Sequence, residues 1–249
     1  MAARRGLVAL ALLAFAVVFL ARLPARWLPA LLPQGVVCIE PSGTVWNGAC
    51  ANFEARGLRA GALRWSLHPL RLLTGRAAAT LRIAQPLATV QGEFALAPGG
   101  TLEARDVRGT LALAPGGLLP GIPGDLDGSV ALAVDELVLR GRAVRLLRGR
   151  IEVQDLRQRT GEGPLPLGGY LLLFGGEADP SGNVSGTVKD TGGPLDVQGT
   201  LTLTPAPGYL LDGSVATRPS APPVLVRQIA FLGSPDSAGR RPFAQEATF

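Results

Sequence analysis

Residues 92–113 read Gly92-Glu-Phe-Ala-Leu-Ala-Pro-Gly-Gly-Thr-Leu-Glu-Ala-Arg-Asp-Val-Arg-Gly-Thr-Leu-Ala-Leu113: two copies of Gly-x-apolar-x-apolar, with Pro98-Gly-Gly100 between them. Apolar side chains at every second position line one face of a strand. The Pro/Gly cluster reverses the chain, so the stretch predicts an antiparallel hairpin. The same unit returns as Gly-Ser-Val-Ala-Leu at Gly128, Gly-Arg-Ile-Glu-Val at Gly149 and Gly-Thr-Leu-Thr-Leu at Gly199, with weaker copies at Gly186 and Gly213. Further turn material stands at 115–117, 120–124, 179–182 and 192–194, and the abundant glycine reads as turn punctuation. Spacings of roughly 13 to 21 residues suit one hairpin each and are too irregular for a propeller or a leucine-rich solenoid.

The fold class that follows is mainly β: a single N-terminal transmembrane helix, then a curved antiparallel β-sheet domain over residues 36–249. Other helix is expected only at 67–75 and 224–232. The alternation does not distinguish an inner face closed by its own core from one left as a groove. Composition agrees, because 47% apolar and 17% charged residues with 33 Gly and 21 Pro argue against disorder and against a helical bundle. A chain of 249 residues holds one domain of about 200 residues plus a short extra segment.

Residues 6–21 carry no charge and no polar side chain. As a helix they cover about 24 Å, just under the hydrocarbon core of about 30 Å, so Leu23 extends the span and Arg22 snorkels. Large residues follow where a signal peptidase would need small ones, and Trp27 beside Arg22 and Arg26 suits an interfacial anchor. The expected layout is a cytoplasmic tail at 1–5, a retained membrane anchor at 6–23, a linker at 24–35 and an exported β-rich domain at 36–249.

The net charge is +5 and the pI about 10.2, yet Lys189 is the sole lysine and the arginines are spread from Arg4 to Arg241. No basic run marks a nucleic-acid surface. Carboxylates sit mostly at turns, and no motif pairs them for hydrolysis. Asp125-x-Asp127-Gly128 lacks the closing glutamate of a calcium loop. His68 is the sole histidine and has no marked nucleophile; there is no phosphate loop either. No catalytic, cofactor or metal residue is therefore assigned, and the chain is read as a non-enzyme.

Cys38 and Cys50 are the only cysteines, and in an oxidising compartment they are the disulfide candidate, worth roughly 3 kcal/mol in the chain-entropy model. On the outer strands of a regular three-strand meander they would lie about 9.6 Å apart, too far to bond. The bond therefore requires a local irregularity, near Pro41-Ser-Gly43 or Asn47-Gly48. Trp46 and Trp65 each end a short apolar run and are the interface or core candidates.

Beyond this, the chain resembles the type II secretion system protein N family. The likeness lies in the anchor, Leu23-Pro24, Ser42-Gly-Thr-Val-Trp-Asn-Gly48, and Leu63-Arg-Trp-Ser-Leu-His-Pro-Leu70 with Leu73-Thr-Gly75. It continues through Leu167-Gly-Gly-Tyr170, Gly192-Gly-Pro-Leu-Asp-Val-Gln-Gly199, Tyr209 and Phe231-Leu-Gly233 ahead of Gly239-Arg240. The resemblance implies an accessory part of the machine that moves folded proteins across the outer membrane. Its place would be the inner membrane, single-pass, with the bulk of the chain in the periplasm and other secretion proteins as partners. The layout is also similar to AsmA-type envelope proteins, which makes a lipid-binding groove the alternative reading. The cysteine pair is not part of the family pattern.

Overall fold

A computed structural model of the protein describes residues 12–248 except 13, 16, 17, 31–34, 56, 57, 86, 87, 114–124 and 207. The tail at 1–5, anchor residues 6–11, 13, 16 and 17, and the turns expected at 115–117 and 120–124 lie outside it. Of the remaining anchor, residues 12, 14, 15 and 18–21 are helical, with Leu12, Phe15, Val18, Phe19 and Leu20 exposed. Among the described residues no helix is long and apolar enough to cross a membrane. The rest is mainly β, with every strand antiparallel to its neighbours, and it forms two compact units, Met1–Gln85 and Pro86–Phe249.

The first unit contains β1 (Val36–Ile39), β2 (Ser42–Gly43), β3 (Asn47–Ala55), β4 (Leu58–Leu67) and β5 (Ala77–Gln85), ordered β1-β3-β4-β5 with β2 beside β3. Ile39 faces Asn52 and Ser42 faces Ala49, so β1 and β2 continue one register along the same edge of β3. They are interrupted at Glu40, whose φ of 53° turns the backbone into the left-handed region. The two cysteines thus stand on neighbouring strands and not on the outer strands of a meander. The break at Glu40 borders the Pro41-Ser-Gly43 stretch, and a second irregularity lies in β3, which slips register against β4 between Cys50 and Phe53. The Cys38 and Cys50 Cα atoms are 5.5 Å apart and the sulfurs are joined. Around them Ala25, Leu63 and Trp65 complete a buried cluster, with Phe53, Leu67, Leu81 and Ile83 packed against it. A four-residue helix, Pro69–Leu72, lies in the connection from β4 to β5.

The second unit is a long meander. Its strands are β6 (Ala88–Ala97), β7 (Thr101–Leu113), β8 (Leu126–Arg140), β9 (Ala143–Thr160), β10 (Gly163–Glu177), β11 (Val184–Gly192), β12 (Leu195–Thr204), β13 (Gly208–Thr217) and β14 (Arg241–Thr248). They neighbour one another in sequence order, and among the described residues no pairing joins β6 to β14, so the meander is open. One face is apolar. Leu147, Phe174 and Val184 form a buried cluster on it, flanked by Val134, Leu137, Ile151, Leu172, Leu201 and Leu203. Leu165, Leu195, Val197 and Val215 form another, covered by the helix Pro223–Ala230 through Val224, Leu225 and Ile229.

The repeat glycines do not punctuate the strands, as the sequence pattern suggested. Gly92, Gly109, Gly128, Gly149, Gly186, Gly199 and Gly213 lie inside strands. In the copies at Gly109 and Gly199 the glycine and the two apolar residues alternate with period two and so share a face. A Cβ on Gly186 would overlap the Phe174 ring. Glycine here makes room for a bulky neighbour on a packed face.

Candidate functional site

The turn between β2 and β3 is closed by its own polar groups: Thr44 N–H donates to Asn47 O (2.8 Å), and Asn47 N–H donates to the Thr44 hydroxyl (3.0 Å). Gly43 adopts φ 84°, and a Cβ there would collide with the Asn47 carbonyl. Gly48 lies flat against the Trp65 indole, where any Cβ would overlap the ring. Both glycines of the Ser-Gly-Thr-Val-Trp-Asn-Gly motif are therefore required by contact.

This turn gathers three segments of chain. The Trp46 indole N–H donates to Leu20 O (2.7 Å), which also accepts Leu23 N–H (3.3 Å) in the last turn of the N-terminal helix. Val45 N–H donates to Leu23 O (2.9 Å), and Pro24 bridges Thr44. From the other side, Leu67 N–H donates to Trp46 O (2.6 Å) and the Trp65 indole N–H to Val45 O (2.9 Å). Ser66 adds a hydroxyl bond to Asn47 Oδ1 (2.7 Å). Ala25, in the stretch read as linker, is buried in the same cluster as Cys38, Cys50 and Trp65. Of the residues singled out from sequence, Cys38, Cys50 and Trp65 thus meet in one core, while Trp46 is half-buried and caps the helix end. His68 Nε2 lies 3.0 Å from the Thr80 hydroxyl.

The second unit has two polar constellations that sequence reasoning missed. Asp190 meets Arg218 at 2.7 Å and accepts N–H bonds from Gly192 and Val197, both at 3.1 Å. Burial pushes the Asp190 carboxyl up, but the guanidinium and the backbone donors outweigh it and hold the group below the usual carboxylate range. Nearby, the Tyr170 hydroxyl donates to Leu167 O (2.7 Å); burial, and then the Asp190 charge, push it up to about 12 against the pull of Arg218. Arg240 pairs with Asp196 at 3.0 Å and also bonds Ser214. An open groove in the second unit is lined by Arg108, Asp135, Arg148, Arg150, Leu173 and Phe174. Arg108 is engaged by Asp135 at 2.6 Å and Arg148 by Glu136 at 3.7 Å, so the groove offers mixed charge. Among the described residues no group of three His, Cys, Asp or Glu could hold a metal.

The strongest organisation in the molecule is thus structural: a turn that fastens a helix end to a disulfide-linked β core. A family model described as "Type II secretion system (T2SS), protein N" matches residues 34–244. The chain is similar to the type II secretion system protein N of Aeromonas hydrophila, 28% identical over 245 residues that cover 94% of each chain. It is similar also to that of Vibrio cholerae, 26% identical over 88% of this chain and 87% of the relative, and to that of Klebsiella pneumoniae, 27% identical over 88% and 86%. No solved structure matches.

Proposed function

This chain belongs to the type II secretion system protein N family, which suggests a component of that system, and we propose that it is an inner-membrane accessory part acting through protein contacts and not by catalysis. The observation that carries the reading is the family match across residues 34–244, which takes in most of both units. Residues 6–23 are the single membrane anchor, and the chain from residue 36 onward lies in the periplasm. Export makes the Cys38–Cys50 bond a stable feature of the protein in the cell, since the periplasm is oxidising. The hydrogen bonds from Val45 and Trp46 to Leu23 and Leu20 support a mechanical role, because they couple the anchor's end to the first β unit directly.

The test is cell fractionation combined with in vivo crosslinking. The reading expects the chain in the inner-membrane fraction, resistant to carbonate extraction, and joined by crosslinks to other secretion proteins. A chain released in soluble form, or one that crosslinks to no secretion protein in an actively secreting cell, would reject it.

A further inference from the structure

The connection between β4 and β5 exposes more apolar surface than a hairpin loop ordinarily does. Leu70 is 78% and Leu73 84% exposed, with Leu72 about half uncovered. These side chains are held out by a well-bonded backbone. Arg71 N–H donates to His68 O (3.0 Å), and the Arg71 carbonyl accepts from Thr74 N–H, Arg76 N–H and the Thr74 hydroxyl; Gly75 N–H donates to Leu72 O (2.9 Å). A loop fixed in this way presents its leucines and does not fold them under itself.

Its place in the unit supplies the second observation. The loop leaves β4 at Leu67, whose N–H is bonded to Trp46 O, and the Trp46 indole is bonded to Leu20 O at the end of the N-terminal helix. The exposed leucines therefore stand at the same end of the first unit as the end of the hydrophobic helix. Arg22, Arg26 and Trp27 are exposed there, and Arg71 sits among the leucines. In sequence both segments carry charge of one sign, because no Asp or Glu occurs in residues 1–39 or 55–92; the unit's two carboxylates, Glu40 and Glu54, lie on the stretch between them. Leucines flanked by arginines, with an exposed indole beside them, have the composition of a membrane-interface element: apolar tips enter the acyl boundary while guanidinium groups stay at anionic headgroups.

We propose that the Leu70–Leu73 loop is a second membrane contact, resting on a bilayer surface that carries anionic lipid and fixing the first unit's tilt beside the anchor. This inference rests on the anchor reading above. A protein partner would also accept leucines, but the continuity with the helix end and the loop's own stretch, residues 55–92 with arginines and no Asp or Glu, favour lipid.

The experiment uses the full chain reconstituted into vesicles of phosphatidylethanolamine and phosphatidylglycerol, with the native cysteines left bonded. Leu73→Cys carries an environment-sensitive fluorophore, and Asn52→Cys, exposed on β3 of the same unit, serves as the comparison. Flotation reports anchoring separately from loop contact. The proposal expects floated protein in which spin-labelled lipid quenches the Leu73 site and not the Asn52 site, with a Leu70→Ser substitution weakening the quenching while flotation persists. Floated protein whose Leu73 site is quenched only by aqueous iodide, or whose two sites are quenched alike, would overturn the loop contact and leave the anchor standing. Protein that does not float would overturn both.

Discussion

The two units share an antiparallel plan and differ in how it is secured. In the first, strands of two to ten residues surround a small core in which Cys38, Cys50 and Trp65 lie together, and ten arginines stand against two carboxylates, Glu40 and Glu54. In the second, strands reach 18 residues, the apolar face runs through two clusters, and fourteen cations are set against seventeen carboxylates. A short-stranded unit has few ladder bonds to share its load, so its stability is concentrated in a crosslink and one indole. A long meander spreads the same task over many cross-strand pairs. Removing one group should therefore cost the first unit far more than the second.

The largest effect is expected at Trp65. It is 7% exposed, fills the space above Gly48 and satisfies Val45 O. Trp65→Ala should cost about 3 to 5 kcal/mol, seen in hydrogen exchange as loss of protection in β3 and β4 with β8 to β10 still protected. Uniform loss across both units would erase the proposed contrast. Opening the disulfide comes next: paired Cys38→Ser and Cys50→Ser should cost roughly 3 kcal/mol, and a reductant should lower the wild-type first unit's melting temperature toward that of the variant without shifting the variant's own. A reductant effect on the double variant would show that the bond is not the cause.

In the second unit the best-connected polar group is Asp190. Asp190→Asn weakens the link to Arg218 and should cost about 1 to 2 kcal/mol, read from denaturant melts. The carboxyl is held below its ordinary value, so its stabilisation is present above the ordinary carboxylate range and is lost as pH falls through the folded-state value. The wild type and the variant should accordingly converge as the medium is acidified below the ordinary carboxylate range, and a gap that does not narrow on acidification would contradict the assignment. The smallest effect belongs to the surface ladder in which Glu136 meets Arg105 at 3.6 Å and Arg148 at 3.7 Å. Glu136→Gln should change stability by about 0.2 to 1 kcal/mol, less in high salt.

The strands were legible because alternation is a local property, visible in five residues at Gly109 or Gly199. The role of those glycines was not, since a five-residue window cannot show that Phe174 will lie over Gly186. The cysteine pair could be named by elimination, yet its closeness depends on the left-handed turn at Glu40 and the slip in β3. Trp46 stood out as a large aromatic, but its partner is a backbone carbonyl 26 residues away, which carries no side-chain signature. Asp190 and Arg218 are likewise joined only by the folding of β11 to β13 and give no local signal.

The central claim is that the chain serves secretion as a membrane-held part. Its most direct test is to measure exoproteins in the medium and in the periplasm of a strain lacking the gene, alongside outer-membrane permeability and envelope lipid composition. The account predicts folded exoproteins retained in the periplasm, an intact and compositionally normal envelope, and recovery when the wild-type chain is restored. Normal release of exoproteins from a leaky or lipid-altered envelope would contradict it and favour the lipid-groove alternative.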